Sequence, residues 1–325
     1  MLKKPYRLAA VLCMFCFSLL IESAQAQDPI FSQFYANPLY LNPALAGTQK
    51  CPRVHLNYRN QWPALAGNFV TTSASYDQYV EAVNGGLGFY VLNDNAGRGL
   101  LNSFSVNAIY SYQLTLSDNV SMVAGFQASY FQRSLDWSRL SFGDQIDPRR
   151  GFIYTSQESQ RGGSVDNVDF STGAMIFSEN FYGGFAVHHL FEPNESLIVD
   201  EAPLERKYTV HAGANIPINK DVRGETDASI SPNVLYQRHF DFEQVNVGLY
   251  AQKGPLILGT WYRFGDSFII LLGVDTERFK VGYSYDLTTS QLTTQTAGSH
   301  EISFAMNFNC KPTKKKFRAI NCPAF

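Results

Sequence analysis

Along most of this chain, apolar and polar side chains alternate with a period of two. Val106, Ala108, Tyr110, Tyr112 and Leu114 interleave with Ser105, Asn107, Ser111 and Gln113, with Ile109 as the exception. Val120, Met122, Ala124, Phe126, Ala128 and Tyr130 interleave with Ser121, Gly125, Gln127 and Ser129. Ile302, Phe304, Met306 and Phe308 interleave with Glu301, Ser303, Ala305, Asn307 and Asn309. Successive side chains of a strand point to opposite faces, so this pattern sets one face against apolar surroundings and the other against polar ones. About fourteen such segments are predicted, each of roughly 8–14 residues. They begin near Arg53, Phe69, Gly86, Ser103, Asn119, Val168, Phe181, Lys207, Asp227, Val245, Leu256, Ser267, Arg278 and Glu301.

Strand length separates the two all-β alternatives. Soluble sandwiches use strands of about 5–6 residues, whereas a tilted membrane-crossing strand needs about 9–11. Lipid offers no partner to a free strand edge, so a spanning sheet has to close on itself. The expectation is an all-β fold: a transmembrane antiparallel β-barrel of about 14 strands, carrying an N-terminal plug segment. Tyr58, Trp62, Tyr76, Tyr130, Trp261, Tyr283 and Tyr285 stand near segment ends, where interfacial aromatic girdles occur. The connections alternate between short (around Leu116-Ser117-Asp118, Ser178-Glu179-Asn180 and Lys253-Gly254) and long (within 133–167, 191–205 and 287–299). That parity predicts both termini on the periplasmic side of an outer membrane.

The first residues supply the route there. Lys3, Lys4 and Arg7 precede the apolar run Leu8–Ile21 and then Ala24-Gln25-Ala26, the three-part layout of a secretory signal peptide cut after residue 26. The run is shorter than the roughly 20 residues of a spanning helix. The expected organisation is therefore a signal peptide at 1–26, a non-strand segment at 27–50, a barrel at 51–310 and a basic tail at 311–325. The segment Asp28–Gly47 shows no alternation and contains Pro29, Pro38 and Pro43, each of which denies a sheet hydrogen bond. It is expected to fold into the lumen as a plug or to serve as a docking strap for a periplasmic partner.

Charge narrows the partners. Residues 1–26 remove three bases and one acid, and the tail removes five bases and no acid, so 26 basic against 28 acidic side chains becomes 18 against 27 in the barrel and its plug. A body of that sign is unsuited to nucleic acid. The tail itself (Lys311, Lys314, Lys315, Lys316, Arg318) is a solvated charge run or a handle for an acidic partner. Cys51, Cys310 and Cys322 permit one bridge, expected as a Cys310–Cys322 clip or as free thiols. The six histidines form no zinc pattern and no serine lies in a nucleophile elbow, so no catalytic residue, metal or cofactor is assigned and the chain is not expected to be an enzyme.

Several phrases read together resemble one family. They are Gln27 to Tyr35, Asn37-Pro38-Leu39-Tyr40-Leu41-Asn42-Pro43-Ala44-Leu45-Ala46-Gly47, Arg59-Asn60-Gln61-Trp62-Pro63, Gly85-Gly86-Leu87-Gly88, Asp94 to Gly97, Phe142-Gly143-Asp144-Gln145 and Gly282-Tyr283-Ser284-Tyr285-Asp286. The chain resembles the PorP/SprF family of outer-membrane proteins of the type IX secretion system. The resemblance implies partners among the secretion proteins on the periplasmic side, a secreted surface adhesin, or both, besides the lipid bilayer. Candidate partner-binding or plug residues are Asp28, Pro29, Phe31, Ser32, Gln33, Phe34, Tyr35, Asn37, Pro38, Asn42 and Pro43. Outward recognition, or inward narrowing of the pore, is assigned to the long loop through Trp137, Phe142, Asp144, Gln145 and Asp147. The competing functions are a passive porin or transporter and a membrane-embedded hydrolase.

Overall fold

Fourteen antiparallel strands close into a barrel in the computed structural model, which describes residues 28–49, 51–65, 67–157, 163–197, 201–220, 226–276, 278–289 and 297–308. The proposed signal peptide, the basic tail, Cys310 and Cys322 lie outside those residues. The strands are β1 (Arg53–Gln61), β2 (Phe69–Val80), β3 (Gly85–Ala96), β4 (Leu101–Thr115), β5 (Ser121–Leu135), β6 (Ser164–Phe177) and β7 (Phe181–His188). Strand β8 comes in two pieces, Lys207–Ala214 and Ile216–Lys220, followed by β9 (Thr226–His239), β10 (Phe242–Lys253), β11 (Leu256–Arg263), β12 (Ser267–Asp275), β13 (Phe279–Thr288) and β14 (Ser299–Asn307). Each pairs with its sequence neighbour, and β1 pairs with β14 from Arg53↔Asn307 to Gln61↔Ser299. That seam leaves no open edge.

The faces follow the alternation. On β2, Thr71, Ser73, Ser75 and Asp77 are buried inside, while Ala74 and Tyr76 face out. Across the barrel the outward set is large and apolar: Leu56, Phe89, Phe126, Val247, Leu258, Leu272 and Ile302 are all exposed. This inside-out amphipathicity is what a bilayer requires of strands. Ile109 breaks the pattern and the run Phe268–Val274 is apolar on both faces for one reason. Their inward side chains (Ile109, Ile269, Leu271) are buried against apolar material within the lumen.

Two sequence expectations need correction. Trp261, expected in an outer girdle, points inward and is almost fully buried. Cys51 is disulfide-bonded, so it is not a free thiol left over from a Cys310–Cys322 clip. The connections at the end where β1 starts and β14 stops are short, spanning 81–84, 116–120, 178–180, 254–255 and 276–278. At the far end, 136–163, 189–206 and 289–298 are long, whereas 62–68, 97–100, 240–241 and 264–266 are not.

Candidate functional site

The lumen is occupied by Asp28–Gly47. No strand forms there. Instead three single turns follow one another: Phe34–Ala36, Pro38–Leu41 and Pro43–Leu45. Pro38 and Pro43 stand at the first position of their turns, where a missing N–H costs nothing. Asn42 caps the third by accepting from Ala44 N at 2.9 Å. The segment begins against Lys207, the first residue of β8, and ends against Arg53, the first residue of β1, so it runs along most of the barrel. Phe31, Ser32, Gln33, Phe34, Tyr35, Asn37, Pro38, Asn42 and Pro43 are all buried, and Asp28 and Pro29 are half-buried.

Three polar groups of wall residues hold it. At the far end Asp28, the only charged residue of 28–49, pairs with Lys207 Nζ at 3.0 Å and His189 Nε2 at 3.0 Å. His189 Nδ1 meets Asp169 at 2.8 Å. Burial alone would raise the Asp28 carboxyl, but Lys207 and His189 hold it well below the usual carboxylate range. Burial works against charge on His189 too, yet Asp28 and Asp169 push it up to about 9.

One turn further in, Glu301 on β14 accepts from the backbone N–H groups of Ser32 (2.6 Å) and Gln33 (3.2 Å). Glu301 also pairs with Arg59 on β1 at 3.3 Å, and Arg59 pairs with Asp286 on β13 at 3.0 Å. The Ser32 hydroxyl donates to Asp286 and accepts from Arg59 and Arg263. Gln33 is fixed at both ends of its amide, donating to the Glu301 carbonyl (3.0 Å) and accepting from Ser303 (2.6 Å). At the β1 end, Asp77 accepts from Gly47 N at 2.6 Å and pairs with Arg53 at 2.6 Å, while Arg53 donates to the Leu45 carbonyl at 2.9 Å.

Between these anchors Asn42 donates to the Ala174 and Phe185 carbonyls and Ser111 donates to the Ala46 carbonyl, and the rest of the contact is mainly apolar. Phe34, Tyr35, Leu41 and Leu45 form one buried cluster with Val123, Met175, Leu235, Trp261, Ile269 and Leu271 from the wall. Phe34 meets Trp261 edge-on, ring centres 5.0 Å apart. Phe31 and Leu39 form a second cluster with Tyr90, Leu92 and Ile109. Close approach requires glycine on the wall: a Cβ on Gly86 would overlap the Ala46 carbonyl, one on Gly125 the backbone of Pro43 and Ala44, and one on Gly173 the Asn42 side chain. The Gly85-Gly86-Leu87-Gly88 phrase is thus a seat for chain, as small residues with close neighbours imply.

Above the segment, toward the far end, the lumen opens into a vestibule of about 660 Å³ whose floor includes Asp28, Pro29, Ile30 and Tyr40. The outer-loop candidates lie apart from it. Trp137 stacks on Phe142 (6.2 Å), Gln145 accepts from Phe142 N (2.8 Å), and Asp144 accepts from Ser156 (3.0 Å). Asp147 accepts from the backbone of Arg149 and Arg150, each at 2.8 Å. None of the five lines the vestibule. Their bonds fold the loop on itself, leaving Phe152, Ile153 and Tyr154 exposed.

Sequence reasoning missed the wall half of the site: Arg53, Arg59, Asp77, Asp169, His189, Lys207, Asp286 and Glu301. A usable signal existed. Charged residues on the polar face of a barrel strand point at whatever fills the lumen, and Arg59 and Glu301 sit on such faces.

Apolar residues outside, polar residues inside and a closed seam define an outer-membrane β-barrel, here with its own N-terminal segment lodged in the lumen. The chain belongs to the family described as type IX secretion system membrane protein PorP/SprF, whose model matches residues 23–306. No curated protein matches it. Among solved structures it is similar to the Ralstonia pickettii toluene transporter TbuX (TM-score 0.49, 8% identity, covering 83% of this chain and 93% of that one). It is also similar to the Acinetobacter baumannii outer membrane protein Omp33 (TM-score 0.44, 11% identity, 80% and 100% covered) and to a Pseudomonas aeruginosa FadL homologue (TM-score 0.44, 10% identity, 79% and 90% covered).

Proposed function

We propose that this protein is a non-enzymatic component of the type IX secretion machinery that anchors or escorts partner proteins, on the periplasmic side, among secreted adhesins, or both. The observation that carries this reading is the filled lumen. Apolar burial on the wall side of Asp28–Gly47, combined with charged anchors at both ends, makes the segment part of the barrel's core and leaves surfaces, not a passage, for function. The short connections beside the start of β1 and the end of β14 support a periplasmic placing of that end. On this reading the segment is a plug rather than a strap.

The test is crosslinked pull-down from the native outer membrane together with planar-bilayer recording of the purified barrel. Recovery of secretion-machine or adhesin components with little conductance is expected. Steady conductance with no such component recovered would favour a passive transporter, the reading to which the 660 Å³ vestibule lends some support.

A further inference from the structure

The vestibule is closed below by the segment, so whatever enters it from the far end stays against its walls. Its volume of about 660 Å³ falls within the range of ligand sites. The lining cations are already engaged. Arg59 is held by Asp286 and Glu301, Arg263 by Asp266 at 3.1 Å, Arg133 by Glu195, and His189 by Asp28 and Asp169.

Three of the lining acceptors have capacity left. Gln127 is 2% exposed and its amide nitrogen donates to Tyr90 (3.0 Å), Asn107 (3.2 Å) and Ser129 (2.9 Å), while its Oε1 has no partner among the described residues. Gln244, also 2% exposed, donates to Asn246 at 3.0 Å and likewise leaves Oε1 unpartnered. Asp94 accepts from the Thr71 hydroxyl at 2.6 Å and takes part in no ion pair among the described residues. A buried acceptor without a donor is destabilising, and an incoming donor recovers that loss. Phe69, Phe104 and Phe131 line the same cavity and offer apolar wall to an alkyl stem.

We propose that the vestibule is a binding pocket for a short polypeptide segment bearing a lysine or arginine, whose cation meets Asp94 and whose amide N–H groups meet Gln127 and Gln244. It rests on the reading that this protein meets partner polypeptides. The probes are a capped pentapeptide Gly-Ser-Lys-Phe-Gly and its counterpart with Glu for Lys, titrated by calorimetry into the full-length protein in detergent. The lysine peptide is expected to bind, with the Glu counterpart and the Asp94→Asn variant each weaker by roughly tenfold or more. Intact folding of the variant is read from unchanged heat-modified gel migration, and Gln127→Leu serves as a second variant with the same expected loss. Equal binding of both peptides, no binding at all, unchanged binding by both variants, or preferential binding of maltotriose would each overturn the proposal. A pull-down that recovers partners while the peptides fail would sink the pocket and leave the proposed function standing. Peptide binding with an empty pull-down would do the reverse.

Discussion

Glu301→Gln is the substitution that most directly tests how the segment is held. In the native chain two backbone N–H donors, from Ser32 and Gln33, converge on the two oxygens of one carboxylate, which also faces Arg59. The amide is nearly isosteric but offers one acceptor and one donor, so one N–H of the segment meets an NH2 group instead of an oxygen. The ion pair is lost at the same time, in a place where Glu301 is fully buried and the side chain of Arg59 is 2% exposed. Removing one member of a buried pair costs about 3–5 kcal/mol. Arg59 keeps Asp286 at 3.0 Å, which places the expected cost near the lower bound, about 3 kcal/mol. Reversible urea unfolding in lipid vesicles, followed by tryptophan fluorescence, measures it. Chymotrypsin cleavage at Phe31, Phe34 and Tyr35 reads the segment alone and should accelerate in the variant. Glu243→Gln is the control, because its pair with Arg238 spans 3.7 Å with both side chains more than half exposed, and it should change stability by less than about 1 kcal/mol. If Glu301→Gln unfolds like wild type and Phe31–Tyr35 stays protected, the carboxylate does not hold the segment and the account of the anchor is wrong.

Stability should also depend on pH on both sides of neutrality. The folded-state pKa of His189 is raised from about 6.5 to about 9, so its contribution, at most about 3 kcal/mol, is complete below pH about 6.5 and is lost as pH rises through about 9. Asp28 is depressed, so its contribution is present above pH about 4 and is lost as pH falls below that. Urea midpoints measured from pH 4 to about 10 should therefore decline toward the alkaline end in wild type, and His189→Gln should flatten that limb; an unaltered limb in the variant refutes the assignment. Gly125→Ala should cost about 1–3 kcal/mol because its methyl overlaps the Pro43–Ala44 backbone, whereas Gly47→Ala should cost more through both its φ of +66° and its contact with Gly86. Thermal unfolding of the two variants checks this, and equality of either with wild type would contradict the seating of the segment.

The strands were legible in the chain because the period-two pattern is imposed locally, by lipid on one face and the lumen on the other. All fourteen observed strands start within four residues of the positions the alternation marks. The pattern failed where a third environment intervened. Ile109, Trp261, Ile269 and Leu271 are apolar side chains on the lumen face, and only knowledge of the segment's path explains them. The segment itself could be recognised as non-strand from its prolines. Its partners could not, since Ser32 and Glu301 are 269 positions apart and no local signal couples them.

That separation also ties the segment to the closure of the barrel. Glu301 lies on the last strand, and it reaches Ser32 only when β14 has come to rest against β1. Closing the seam and clasping the segment therefore depend on one another, and a barrel whose N-terminal segment is displaced lacks the clasp that ties its last strand to its first residues.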